Sequence, residues 1–156
     1  MPKVGDFFES YRINEFVLEI EGVRSPGVTK ITGLSEGELD TIEQPDGGSY
    51  HVYKIAATKV KFEPLTIERM VDGSDEDKKF RAWFQETFKL NRTTQGGSSV
   101  RKNGAVVKLH DGVEVLRFLF FKAWVKSSKF TDLEAGATTL MKQTIVLEHE
   151  GLERAG

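Results

Sequence analysis

Between Val113 and Val125 apolar side chains occupy both parities of the chain. Successive residues of a strand point to opposite faces, so Val113, Val115, Leu119, Phe121 and Ala123 share one face, and Leu116, Phe118, Phe120 and Trp124 the other. A strand with one wet face alternates cleanly. This one must be covered on both sides: by the protein's own core, and by a second sheet, a helix or another copy of the chain. Elsewhere the pattern is simpler. Phe16, Leu18 and Ile20 alternate with Val17 and Glu19, a half-buried strand closed by Glu21 and Gly22. Ser25, Pro26 and Gly27 form a turn. Residues 28–34 and 36–43 read as a second strand and its continuation, with a bend or bulge at Gly33 and Gly37.

A loop begins at Gln44 and runs through Pro45, Asp46, Gly47 and Gly48; extended structure resumes at Tyr50. Residues 60–70 form a long strand with Phe62 and Leu65 as core anchors, and Pro64 imposes an edge, bulge or break there. Ser74 followed by Asp75, Glu76 and Asp77 caps a helix and complements its dipole. Phe80, Trp83, Phe84 and Phe88 then recur at helical spacing, predicting a helix over 75–89 whose apolar stripe packs on the core. Residues 91–102 are polar, glycine-bearing and read as a flexible loop. Asp111-Gly112 joins residues 105–110 and 113–125 as a hairpin. A closing strand over 138–150 carries Met141, Ile145 and Leu147 on one face. The class is mainly β: a β-barrel or two packed antiparallel sheets with one flanking helix, in a single domain over 1–156 with an N-terminal arm at 1–10 and an extended loop at 44–58.

Composition narrows what such a domain does. The 22 basic and 24 acidic residues nearly cancel and are interspersed, so no basic stripe points to nucleic acid, and little self-repulsion opposes association. Cysteine is absent, which removes disulfides, thiolate metal sites and thiol nucleophiles. The first ten residues lack the apolar region of a secretory signal. No apolar run approaches the ~20 residues of a membrane-spanning helix. The expectation is synthesis in the cytoplasm without membrane insertion by this chain.

Candidate chemistry is sparse. His51, His110 and His149 are isolated from one another and from carboxylates at metal-ligand spacing. Residues 72–77 are rich in aspartate but lack the glycine and late glutamate of a calcium loop, and they open a helix. Gly47-Gly48 and Gly96-Gly97 lack the strand–loop–helix context of a phosphate cradle, and no nucleophile elbow is present. Asn91 and Thr93 match a glycosylation sequon that has no meaning without export. No catalytic, cofactor or metal site is expected. What remains is a surplus of apolar, β-prone surface, which either lines a sandwich interior or serves contacts between copies.

The order of these segments resembles the tail tube proteins of contractile phages and phage-like contractile injection systems, the T4-like tail tube family. Tyr11-Arg12 with residues 16–22 looks like the family's opening strand, and residues 28–38 like its glycine-leucine-serine segment. Residues 43–48 fall where the family has a glutamate-glycine-glycine loop. Residues 60–69 resemble its lysine-phenylalanine strand ending in arginine, followed by the helix bearing Trp83. Residues 123–126 and 145–152 look like its two closing signatures. Residues 55–58 depart from a leucine-proline-glycine turn common in relatives, and Met70-Val71 stands where they have glycine.

The resemblance implies a structural protomer without catalysis or cofactor. Six copies form a ring, and rings stack into a rigid tube inside a contractile sheath. Its partners would be itself, the sheath, the baseplate and tube-terminating proteins, with DNA or a protein effector in the lumen. Phe7, Phe8, Tyr11, Gln44, Asp46, Tyr50 and Val52 are candidates for ring stacking. Phe62, Leu65, Phe118, Phe120, Trp124, Met141 and Ile145 are expected on the core or intra-ring strands. Two other readings stay open: a soluble hexameric ring protein of type VI secretion, and a monomeric β-barrel ligand-binding module.

Overall fold

The computed structural model describes residues 10–25, 27–88 and 101–155, together with the backbone of two short N-terminal strands, β1 (Lys3–Val4) and β2 (Phe7–Phe8). Strands β3 (Phe16–Ile20), β4 (Val23–Ser25) and β5 (Val28–Thr32) follow. A separate pair comes next, β6 (Glu38–Pro45) and β7 (Val52–Lys61), and then β8 (Leu65–Met70) and helix α1 (Asp75–Thr87). The chain ends with β9 (Lys102–His110), β10 (Val113–Phe130), β11 (Lys142–Glu148) and β12 (Gly151–Ala155).

Eight strands form one antiparallel sheet in the order β4-β3-β9-β10-β11-β8-β5, with β12 also on β10. The 18-residue β10 organises it. Its first half pairs with β9 and β12, and its second half with β11. Between the halves lies a bulge at Phe121–Lys122, where Lys122 adopts φ 52° and its N–H is held by Asn103 Oδ1 at 2.8 Å. Across from it the chain passes from β11 to β12 through His149 and Glu150, and Glu150 N–H donates to the Phe121 carbonyl at 3.0 Å. A bulge bends a strand and increases its twist. Here it folds the sheet on itself, so that two half-sheets enclose the core. Among the described residues no pairing joins β4 to β5, so the barrel stays open.

The bulge also corrects the parity expected of β10. An inserted residue shifts every later side chain to the other face. Phe120, Ala123 and Val125 therefore share the core, whereas Phe121 is exposed and Trp124 lies half-buried on the outer face. With them pack Leu18, Ile20, Val106 and Leu152 from one half-sheet and Leu65, Ile67, Ile145 and Leu147 from the other. Phe62 and Phe118 lie partly buried against this cluster. Met141 precedes β11 and is 38% exposed, outside the core expected for it.

Helix α1 closes one end. Ser74 Oγ accepts the Asp77 N–H, and Asp75, Glu76 and Asp77 occupy the first turn. Phe80, Trp83 and Phe84 are buried as their spacing requires. Phe88 is the C-cap rather than a helical residue, and with its backbone turning out of the helix its ring is 47% exposed. The predicted loop 91–102 lies outside the described residues except at its end, where Lys102 already begins β9. The link Asp111-Gly112 has φ of 50° and 81°, the left-handed pair that a two-residue hairpin turn requires.

Two further expectations are revised. Residues 28–43 are not one bent strand, because β5 pairs with β8 in the main sheet whereas β6 pairs only with β7. Likewise residues 60–70 are split: Val60 and Lys61 end β7 of the arm, and β8 starts only after Pro64, the break its missing N–H favours.

Candidate assembly interface

The β6–β7 hairpin is an arm that projects from the main sheet. Every residue of β6 is exposed, and in β7 only Ala57 is half-buried. An isolated two-stranded hairpin is marginal in water. Yet this arm is not polar. Ile42 faces Ile55 and Gln44 faces Tyr53 across the ladder, giving one side an apolar surface to which His51 adds an edge-on contact with Tyr53 at 4.4 Å. The opposite side carries Thr41 against Ala56 and Glu43 against Lys54. The arm is thus amphipathic without any core of its own to cover its apolar side. The turn at its tip is well made: Asp46 accepts from the Gly48 N–H and the Ser49 hydroxyl, both at 3.1 Å.

The base of the arm is clamped. Gly33 (φ 91°) presses against Pro64, where a Cβ would stand 2.2 Å from the carbonyl oxygen. Gly37 (φ 122°) packs on Val60 and Phe62 in the same way. Behind them His149 places Nε2 2.9 Å from the Glu63 carbonyl, to which it donates, and its ring lies 5.7 Å from Phe62. Its Nδ1 is buried and finds no hydrogen-bond partner among the described residues. His149 is therefore a packing residue that fixes the arm's root.

A second surface is the open mouth of the folded sheet, at the side away from α1. It is a cleft of about 310 Å³ lined by Phe16, Ile31, Leu34, Val106, Leu116 and Phe118, with Tyr11, Arg12, Ile13 and Lys108 around them. The Lys108 ammonium donates to the carbonyls of Glu15 and Leu109.

The outer face of the β3–β9–β10 half-sheet is polar by design of its pairs rather than by composition. Arg117 donates to Glu19 at 2.9 Å and to Glu114 at 2.6 Å, and Arg24 reaches Glu19 at 3.1 Å. Burial pushes the Glu19 carboxyl up, but the bonds and charges of Arg117 and Arg24 outweigh it and hold the group below its ordinary range. Inside, Arg69 is 1% exposed and ties three elements together. It donates to Ser25 Oγ at 3.1 Å, to Gln143 Oε1 at 2.8 Å and to Asp77 of α1, and lies over the Phe80 ring. Gln143 in turn donates to Ser128 Oγ at 2.7 Å.

The sequence-derived stacking residues divide accordingly. Gln44, Asp46, Tyr50 and Val52 lie together on the outer half of the arm, all exposed, and Tyr11 lines the cleft. The side chains of Phe7 and Phe8 lie outside the described residues. Leu65, Phe120 and Ile145 are buried in the core. Leu39, Ile42, Tyr53 and Ile55 were not singled out by sequence, although their alternation with charged residues was the available signal. Among the described residues no group of three or more His, Asp or Glu side chains is placed to hold a metal ion, and no helix is long and apolar enough to cross a membrane.

Known structures share this architecture. A chain of the sheath–tube complex of an extracellular contractile injection system, PVC, in its extended state superposes with a TM-score of 0.74 at 17% identity, over 94% of this chain and 92% of that one. A chain of the anti-feeding prophage baseplate gives 0.76 at 14% identity, over 96% and 98%. Hcp1 from Flavobacterium johnsoniae gives 0.55 at 14% identity, over 92% and 96%. No curated protein sequence matches significantly. The sequence profile of the T4-like virus tail tube protein gp19 matches residues 12–153, nearly the whole described fold. With arm, folded sheet and capping helix all inside that match, the chain belongs to the T4-like virus tail tube protein gp19 family.

Proposed function

We propose that this protein is the structural protomer of the inner tube of a contractile phage tail or phage-like injection system. Six copies close a ring and the rings stack around a lumen that holds DNA or a protein effector. Sheath, baseplate and tube-terminating proteins are its partners, and its work is mechanical rather than catalytic. The observation that carries this reading is the β6–β7 arm, an amphipathic hairpin with no core of its own, on a chain of the tail tube family. Head-to-tail contacts close a ring where the rotation allows, and ring-on-ring contacts remain open and extend a filament.

Negative-stain electron microscopy of the purified protein over a concentration series tests it. Hollow rings or tubes are expected. Small particles at every concentration, with and without a baseplate nucleus, would count against it. Rings that never stack would favour the soluble type VI ring protein, whose relative superposes less closely than the injection-system tubes. The N-terminal arm belongs to the same reading: Phe7→Ser with Phe8→Ser is expected to leave folding intact and weaken stacking, and tubes of normal length from that variant would remove the arm from the interface.

A further inference from the structure

We propose that Asn103 is a modification site of this chain: its carboxamide is lost as ammonia through a cyclic imide with the Gly104 nitrogen, a reaction the fold holds off until β9 parts from its neighbours. The inference stands apart from the tube reading. The chain has three asparagines, Asn14, Asn91 and Asn103, and only Asn103 precedes a glycine. A glycine presents its backbone nitrogen with no side chain to hinder attack on the preceding carboxamide, and it leaves the backbone freest to turn.

The fold uses both members of the pair. Asn103 Oδ1 accepts the Lys122 N–H at 2.8 Å and so holds the bulge at which β10 bends. Gly104 has no room for a Cβ, which would stand 2.5 Å from the Glu19 carbonyl oxygen and from the Phe120 ring. The dipeptide of this chain most prone to cyclise therefore sits where the sheet folds on itself, and it sits there for structural reasons.

The same contacts restrain it. Gly104 is paired on both sides, with Ile20 of β3 and Phe120 of β10. The Asn103 carbonyl accepts the Glu21 N–H at 3.0 Å. That carbonyl shares a rigid peptide plane with the Gly104 nitrogen. Turning the nitrogen toward Asn103 Cγ breaks the bond to Glu21, and bringing Cγ to the nitrogen withdraws Oδ1 from Lys122. Asn103 is exposed, so water and hydroxide reach it. What the fold withholds is the geometry.

Once β9 opens, base removes the Gly104 amide proton, the nitrogen bonds to Asn103 Cγ, and the Cγ–Nδ2 bond breaks with release of ammonia. Water then opens the imide at either carbonyl, leaving aspartate or isoaspartate; water enters, ammonia leaves and nothing is oxidised. The two products differ in consequence. Aspartate keeps an acceptor for the Lys122 N–H and joins Arg101, Lys102 and Lys122, which pair with Glu150 and Glu21. Isoaspartate routes the main chain through the former side chain, so β9 gains a backbone carbon opposite the bulge and both ladders lose register there.

The test ages the full chain in mildly alkaline buffer, folded and in urea, with peptide mapping by mass spectrometry at intervals. In urea Asn103 should deamidate well ahead of Asn14 and Asn91. In the folded chain it should react at least about a hundredfold more slowly, since a reaction that needs core strands to open is scaled by their opening equilibrium. No lead for Asn103 in urea, or equal rates folded and unfolded, would overturn the inference. The aged urea pool is then refolded, and the folded fraction should carry aspartate at 103 and be depleted of isoaspartate relative to the pool. An unchanged ratio of the two products would overturn the register cost assigned to isoaspartate.

Discussion

A guanidinium in the centre of a core needs each of its donors answered, and Arg69 finds Ser25, Gln143 and Asp77 from three different elements. Removing one partner of such a pair leaves the other charge buried and uncompensated, at a cost of about 3–5 kcal/mol. Arg69→Met is expected to lower the unfolding free energy read from urea titration by that amount, and adding Asp77→Leu to recover part of it. Gly104 is constrained by space instead: a Cβ there would meet the Glu19 carbonyl and the Phe120 ring at 2.5 Å. Overpacking of this kind costs roughly 1–3 kcal/mol or more, so Gly104→Ala should be measurably destabilised in the same titration. Glu19 gives a pH dependence with a definite sign. Its folded pKa lies below the ordinary 4.5, so its contribution is complete above that value and is lost as pH falls through the folded one. Urea midpoints taken from pH 6 downward should fall less steeply in Glu19→Gln than in the parent chain. Little of this was legible beforehand. Arg69 ends a recognisable strand motif, but its partners lie up to 74 residues away, and the Glu19–Arg117 pair spans 98.

At the scale of elements, legibility followed how local the signal was. The capping serine, the acidic first turn and the i, i+3, i+4 aromatics are written within 15 residues, and α1 formed where they placed it. The Asp111-Gly112 hairpin was equally plain. The bulge in β10 was not, because the residue that adopts φ 52° is Lys122 and no glycine marks the spot. Its conformation is imposed by Asn103 from the neighbouring strand, a contact that periodicity cannot report. The independence of the arm escaped for a related reason: β5 and β6 look alike in sequence, and only the choice of pairing partner separates them. If the arm serves assembly rather than stability, Ile42→Ser with Ile55→Ser should leave the monomer's melting temperature nearly unchanged while abolishing tubes. A large loss of monomer stability would mean instead that the arm supports its own fold.

On the scale of the whole molecule, the two half-sheets share a single strand. β10 supplies the middle of one half and the edge of the other, and it is Phe120, Ala123 and Val125 around its bend that close the core. The halves share that strand and one core, so the sheet and α1 are expected to open as one cooperative unit. Native-state hydrogen exchange should find the same opening free energy for buried amides of β9 and of β11. The β6–β7 arm stands outside that unit and should exchange at a rate near that of a solvated hairpin until copies assemble. The free protomer thus carries a solid block and a segment that matures late. On the proposed reading the block is finished when the chain folds and the arm gains protection only from a neighbour, which would make its amides a clock for how far assembly has gone.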